Sequence, residues 1–211
     1  MPDSARDGPH AISAALDHLI KSVHGERVRL QDLIDELGGR AFALLTLLLS
    51  LPNAVGLGAI PGLSTVFGLP QLFIALQRAL GYRRPWLPKW LLEKSIARAD
   101  LDRAIERARP YLRKLERVMR PRWEAVVSPL AEQLLAVVIA TLAVLISLPL
   151  PLANQPAAVA IAIITLGLIA RDGLVVAVGL CAAALATALA AGMVVGGTEA
   201  ILALTRRLFG G

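Results

Sequence analysis

At 211 residues, 56% of them hydrophobic, and with a mean hydropathy of +0.63, the chain is more apolar than an ordinary soluble domain. The excess lies in three uncharged runs, Ala41–Gln77, Gln133–Ala170 and Gly173–Thr198, each longer than the ~20 residues that cross a bilayer as a helix, which predicts an all-α integral membrane protein. The net charge of +6 does not indicate nucleic acid: fourteen of the 22 basic residues, against five acidic ones, fall between Arg78 and Arg122, beside apolar runs, where cytoplasmic loops carry them.

Residues 1–39 contain Asp3, Asp7, Asp17, Glu26, Asp32, Asp35 and Glu36 and no apolar core, so they are not expected to be a secretory signal. They predict amphipathic cytoplasmic helices. One stripe is Ile12, Leu16, Leu19, Ile20 and Val23; a second is Leu30, Leu33, Ile34 and Leu37, ended by Gly38-Gly39. His10, His18 and His24 lack the spacing of a metal-binding face.

Residues 40–80 predict a first membrane hairpin. Helix breakers interrupt it from Pro52 to Gly62, with Asn53 and Pro61 inside the break. Excluding the break leaves arms of about 11 and 15 residues, roughly 16 and 22 Å. A hydrocarbon layer is about 30 Å thick, so a re-entrant hairpin fits better than two full crossings. Ser64, Thr65 and Gln71 on the second arm are candidates for hydrogen bonds across helices.

Residues 81–131 predict a basic cytoplasmic linker. Its Tyr82–Trp90 portion mixes aromatic rings with cations, as headgroup-level anchors do. An amphipathic helix is expected over 98–119, suited to a leaflet or a partner subunit.

Residues 132–172 predict a second hairpin, read as a copy of the first. Leu45–Pro52 aligns without gaps on Leu142–Pro149, and Phe67-Gly-Leu69 on Leu166-Gly-Leu168. Pro149 and Asn154 are loose counterparts of Pro52 and Asn53. Two halves with matching broken segments point to a transporter-like site between them. The flanking charges favour parallel repeats that enter from the same side.

Residues 173–211 predict a C-terminal membrane segment, either one tilted helix or a bend near Ala191-Gly192, with Arg206-Arg207 favouring the bend. Cys181, the lone cysteine, is expected to be a small buried apolar residue, and no intrachain disulfide is possible. Arg171 and Asp172 separate two apolar runs; they are expected to pair with each other or cap adjoining helices, with a functional role if at depth and a topogenic one if at the interface.

No Walker A loop, Gly-x-Ser-x-Gly, His-Glu-x-x-His or cysteine–histidine metal set occurs, so no enzyme, cofactor or metal is expected. The candidate functional residues are the polar groups and breakers Pro52, Asn53, Pro61, Gly62, Ser64, Pro149, Asn154, Arg171 and Asp172.

Together, Gly25-Glu-Arg-Val28, Leu51-Pro-Asn53 with Pro61-Gly-Leu-Ser64, Arg84-Pro-Trp-Leu-Pro88 and Arg171-Asp-Gly173 resemble the ExoD family of bacterial membrane proteins, from about residue 25 to about residue 189. Ala170 stands where an acidic residue often precedes Arg-Asp-Gly. The resemblance implies a multi-pass inner-membrane protein linked to exopolysaccharide synthesis. The leading expectation is assistance to synthesis or export by moving an ion or small solute between the hairpins. The alternative is a scaffold that recruits synthesis enzymes through the 98–119 helix. Expected partners are membrane lipids, polysaccharide synthesis proteins and a second copy of the chain.

Overall fold

The computed structural model describes residues 27–56, 62–93, 95–99, 102–103, 106, 128–148 and 153–209. The expected helix over residues 9–23, most of the 98–119 helix, Pro61 and Pro149 lie outside the described residues.

The architecture is all-helical apart from one small ribbon. In it β1 (Arg27–Arg29) pairs antiparallel with β2 (Ser95–Ala97), Val28 facing Ile96. Hydrophobic spacing does not announce three-residue strands. The ribbon joins two segments expected to be separate, the N-terminal region and the basic linker. Helix α1 (Leu30–Leu37) buries Ile34 and ends at Gly38, whose φ of +53° suits glycine. Ile34 packs with Ala41 and Leu87, and Arg84 Nη1 lies 3.3 Å from Asp35 Oδ1 across the same junction.

A single 3-10 turn, Gly38–Arg40, leads into α2 (Ala41–Ala54). This helix corrects the expected break. It runs through Pro52 rather than stopping there, and α3 (Leu63–Ala79) likewise contains Pro70. A proline within a helix removes the bond to the carbonyl four residues earlier and crowds that carbonyl with its ring, but leaves the bonds of the following residues available. Near the end of α2, Val55 N still donates to Leu51 O at 3.0 Å and Gly56 N to Asn53 O at 3.2 Å. The arms are therefore 14 and 17 residues, or about 21 and 26 Å.

After the short α4 (Lys89–Leu92), the second pair is α5 (Pro129–Ser147) and α6 (Asn154–Ala170). The start of α5 is written locally. The Ser128 hydroxyl accepts from Ala131 N, Pro129 takes the first helical position, and Glu132 lies in the first turn. The helix thus begins three residues before the expected hairpin boundary at 132.

Last comes α7 (Gly173–Phe209), one unbroken 37-residue helix, about 56 Å long. It passes straight through Ala191-Gly192, so the bend does not occur. Glycine costs a helix only about 1 kcal/mol relative to alanine, too little by itself to break one.

Helix α2 packs against α3 and α6, α5 against α3 and α6, and α7 mainly against α6. Gln155 Nε2 donates to the Ala54 carbonyl oxygen at 3.3 Å, and the Thr65 hydroxyl to the Ser147 carbonyl oxygen at 3.1 Å. These bonds join the end of α2 to the start of α6 and the start of α3 to the end of α5. Both hairpins therefore reverse at one end of the bundle, called the tip. At the opposite end, the base, Arg78 pairs with Glu132 and lies 5.8 Å from the Phe42 ring centroid.

The main apolar core belongs to α5, α6 and α7, with Leu142, Ile146, Ile161, Ile164 and Val176 fully buried. The outer surface is also apolar: Leu48, Val66, Leu69, Leu134, Val178 and Leu185 are all exposed. Contiguous apolar surface on this scale suits lipid as solvent. Helix α5 and residues Gly173–Thr198 of α7 are long and apolar enough to cross a membrane, with only 39% and 28% of their apolar windows buried. A soluble protein's core helix would be mostly buried.

Candidate functional site: a buried polar seam

Helix α2 reads as continuous apolar sequence with three polar interruptions, Thr46, Ser50 and Asn53. At 3.6 residues per turn, spacings of four and three place all three on one face. That face is buried, whereas Leu48 and Leu51 point outward. Helix α3 repeats the inversion: Ser64 and Gln71 are buried, and Val66, Leu69 and Phe73 are exposed. The buried faces of both arms thus carry a seam of polar side chains inside an apolar surface.

Bonds across and along the seam satisfy part of it. Gln71 Nε2 donates to the Thr46 carbonyl oxygen at 3.3 Å, and the Ser50 hydroxyl to the Leu47 carbonyl oxygen at 2.8 Å. Hydroxyls that bond back to their own helix are a common way to bury serine. Other atoms stay unpaired. Asn53 Oδ1 and Nδ2, Gln71 Oε1 and Asn154 Oδ1 have no hydrogen-bond partner among the described residues, although Asn53 and Gln71 are 0% exposed. Each such buried group costs about 1–3 kcal/mol. A fold that keeps buried amides in this state on three of its helices calls for a reason besides stability.

The expected candidates divide between the two ends of the bundle. Asn53 in the last turn of α2, Ser64 in the first turn of α3 and Asn154 at the start of α6 are all buried near the tip. Pro52 lies half-buried beside Asn53. Gly62 caps α3 at φ +83°, a conformation that suits glycine, and its carbonyl accepts from Val66 N at 3.2 Å.

Arg171 and Asp172 lie about 25 Å away along α6, at the base, and cap helices. Arg171 adopts φ +53° and ends α6, with Asp172 N donating to Gly167 O at 2.9 Å and Arg171 N to Leu168 O at 3.3 Å. Asp172 is buried, and its Oδ1 accepts from Leu174 N at 3.1 Å and Val175 N at 3.4 Å at the start of α7. The geometry thus displays the capping expected for this pair.

Thr46 and Ser50 complete the seam, exposed Gln155 bonds to the end of α2 beside it, and all three were absent from the sequence-based candidates. The signal that finds the first two is their spacing with Asn53 on one face of an uncharged helix. Gln155 carries no comparable signal, since its partner Ala54 lies 101 residues away. Cys181 is exposed on α7 rather than buried, which corrects the expectation for it. In a helix apolar all round, hydrophobicity does not say which face meets protein. Among the described residues no three His, Cys, Asp or Glu side chains group as a metal site.

At the base, Gln77 fixes the aromatic loop. Its Nε2 donates to the Trp86 carbonyl oxygen at 3.0 Å and its Oε1 accepts from Trp86 N at 2.6 Å. The Trp86 ring stays exposed and meets Phe73 edge-on, with centroids 6.0 Å apart.

A family model described as "Exopolysaccharide synthesis, ExoD" matches residues 12–192. The chain is 37% identical over 177 residues to Protein ExoD of Rhizobium meliloti, covering 82% of this chain and 73% of that protein. It is 30% identical over 165 residues to an uncharacterized protein of Synechocystis sp., covering 78% of this chain and 77% of that protein. No solved structure matches the chain. A match that takes in both hairpins, the capping turn and most of the apolar part of α7 is a match to the whole helical body, and the chain belongs to the ExoD family of exopolysaccharide synthesis proteins.

Proposed function

We propose that the chain is a multi-pass protein of the bacterial cytoplasmic membrane that assists exopolysaccharide synthesis or export by moving a small solute along the seam between its hairpins. The observation that carries this reading is that the amides of Asn53, Gln71 and Asn154 are buried and unpaired, among the described residues, inside a bundle with an apolar exterior. Polar groups at membrane depth mark solute pathways. In this reading residues 81–131 face the cytoplasm, as their charge predicts.

The helix pairing supports the duplication. The first arm of each hairpin packs against the second arm of the other, α2 on α6 and α5 on α3. Two copies of one hairpin related by a two-fold axis would produce that crossed pattern. Helix lengths support re-entry for the first hairpin, since α2 reaches about 21 Å against a hydrocarbon thickness of about 30 Å.

Two experiments test the proposal. Flux into proteoliposomes of a panel of monovalent ions, glycerol and small sugars should fall with Asn53→Ala and persist with the base variant Arg171→Ala; no flux of any solute removes the transport reading. Val55→Cys, with native Cys181 replaced by serine, should resist an impermeant thiol reagent applied from the periplasm. Full labelling from that side would mean that the hairpin crosses.

A further inference from the structure

We infer that the loop between α3 and α4 is a docking site for anionic phospholipid headgroups of the leaflet at the base. The site stands apart from the seam: its failure would leave the solute path untouched, and failure of that path would leave the site.

The loop is fixed before any lipid arrives. Tyr82 N donates to Gln77 O at 3.1 Å, Arg78 Nη1 to Tyr82 O at 3.1 Å, and the Gln77 amide closes two bonds with the Trp86 backbone. Pro85 and Leu87 are buried, Leu87 with Ile34 and Ala41, while Trp86 between them is 61% exposed. The indole meets Phe73 edge-on, in the middle of an exposed α3 stripe of Val66, Leu69, Phe73, Leu76 and Leu80. Spacings of three and four keep that stripe on one helix face. Phe73 precedes the end of α3 at Ala79 by about 9 Å, and a headgroup layer is about 5–8 Å deep. The indole therefore reaches the hydrocarbon edge while the rest of the loop stays among the headgroups.

Charge selects the headgroup. From Arg78 to Leu92 the sequence holds the cations Arg78, Arg83, Arg84 and Lys89 and no carboxylate. Carboxylates from elsewhere take two of them, Glu132 pairing with Arg78 and Asp35 with Arg84. Arg83 and Lys89 are exposed and make no ion pair among the described residues, although Glu93 follows Lys89 by one turn. A zwitterionic lipid carries its own cation beside its phosphate and gains little from two more. An anionic lipid lacks that cation, and each basic side chain near such a surface favours it by about fivefold. The apolar stripe under the indole makes the partner a lipid rather than a free phosphate or a nucleic acid, neither of which offers that stripe a contact. An aromatic ring at the hydrocarbon edge with cations above it is how interfacial anchors are built.

The test uses the full chain with Trp90 and Trp123 replaced by phenylalanine, in nanodiscs of mixed phosphatidylcholine and phosphatidylglycerol. Two preparations carry the same fraction of brominated lipid, on one headgroup class in the first and on the other in the second. Brominated phosphatidylglycerol should quench Trp86 more strongly, matching a local enrichment of roughly fivefold or more. Arg83→Gln with Lys89→Gln should abolish the enrichment while both lipids still quench, and Arg83→Lys with Lys89→Arg should retain it. Equal quenching by the two lipids with both cations in place, or an enrichment that survives the double glutamine variant, would overturn the headgroup site. Quenching by neither lipid would put the loop outside the bilayer and overturn it as well.

Discussion

Gly179 of α7 lies so close to Ile164 of α6 that a Cβ there would sit 2.6 Å from Ile164 Cγ1, 2.8 Å from its backbone nitrogen and 3.1 Å from its Cα. Gly167 makes the reciprocal approach: its Cβ would lie 2.8 Å from Val176 N. Because backbone atoms are in the way, side-chain rotation cannot relieve the clash. Gly179→Ala should destabilise the protein by about 1–3 kcal/mol, whereas Gly192→Ala, with nothing within 4 Å, should be neutral or slightly stabilising. Denaturant unfolding in detergent distinguishes them, and equal effects would contradict the close α6–α7 contact.

Removing an unpaired buried amide should help the fold. Asn53→Leu exchanges two unpartnered polar atoms for methyl groups on a side chain of the same branching. Stability should be unchanged or higher, by as much as ~2 kcal/mol. A loss of that size would mean that the amide is satisfied in the native protein.

Gln77 makes the opposite case. Its buried amide carries two bonds to the Trp86 backbone, so Gln77→Leu should cost about 1–3 kcal/mol. With Trp90 and Trp123 replaced by phenylalanine, the emission of Trp86 should also shift. Unchanged emission would show that the loop does not depend on the clamp.

Arg78 and Glu132 join the base of α3 to that of α5, with side chains 21% and 31% exposed. Arg78→Glu and Glu132→Arg should each destabilise, and the double exchange should recover most of the loss. A coupling of about 0.5–2 kcal/mol is expected from the double-mutant cycle. Strictly additive losses would count against the pair.

The turn between α6 and α7 predicts two changes of opposite sign. Asp172→Ala should cost about 0.5–2 kcal/mol through loss of the cap, and Asp172→Asn much less. Arg171 holds φ +53°, so Arg171→Gly should stabilise by about 1 kcal/mol. Thermal unfolding measures both; a destabilising Arg171→Gly would assign the arginine a contact beyond its backbone role.

Local chemistry was readable in the residues themselves. The uncharged runs marked the bundle helices and Gly38 the end of α1, because hydrophobicity and capping act within a few residues; the Ser128-Pro129 start of α5 is equally local but was missed, the boundary having been set at 132. The break at Pro52 was misplaced because the last turn of α2 keeps its backbone bonds past the proline, and Gln155 takes up the Ala54 carbonyl from α6. The β1–β2 ribbon escaped notice because pairing between Val28 and Ile96 is a long-range bond between strands too short to show a period. Cys181 was misassigned because lipid and protein interior are equally apolar, so periodicity in α7 has no polar face to register against. By itself, then, the sequence determined where the bundle helices lie and that they are lipid-compatible. Only the tertiary structure decided which faces meet, that α2 crosses to α6 and α3 to α5, and that Gln155 reaches the Ala54 carbonyl. In a bundle with an apolar exterior those choices rest on close glycine contacts and a few hydrogen bonds between distant residues.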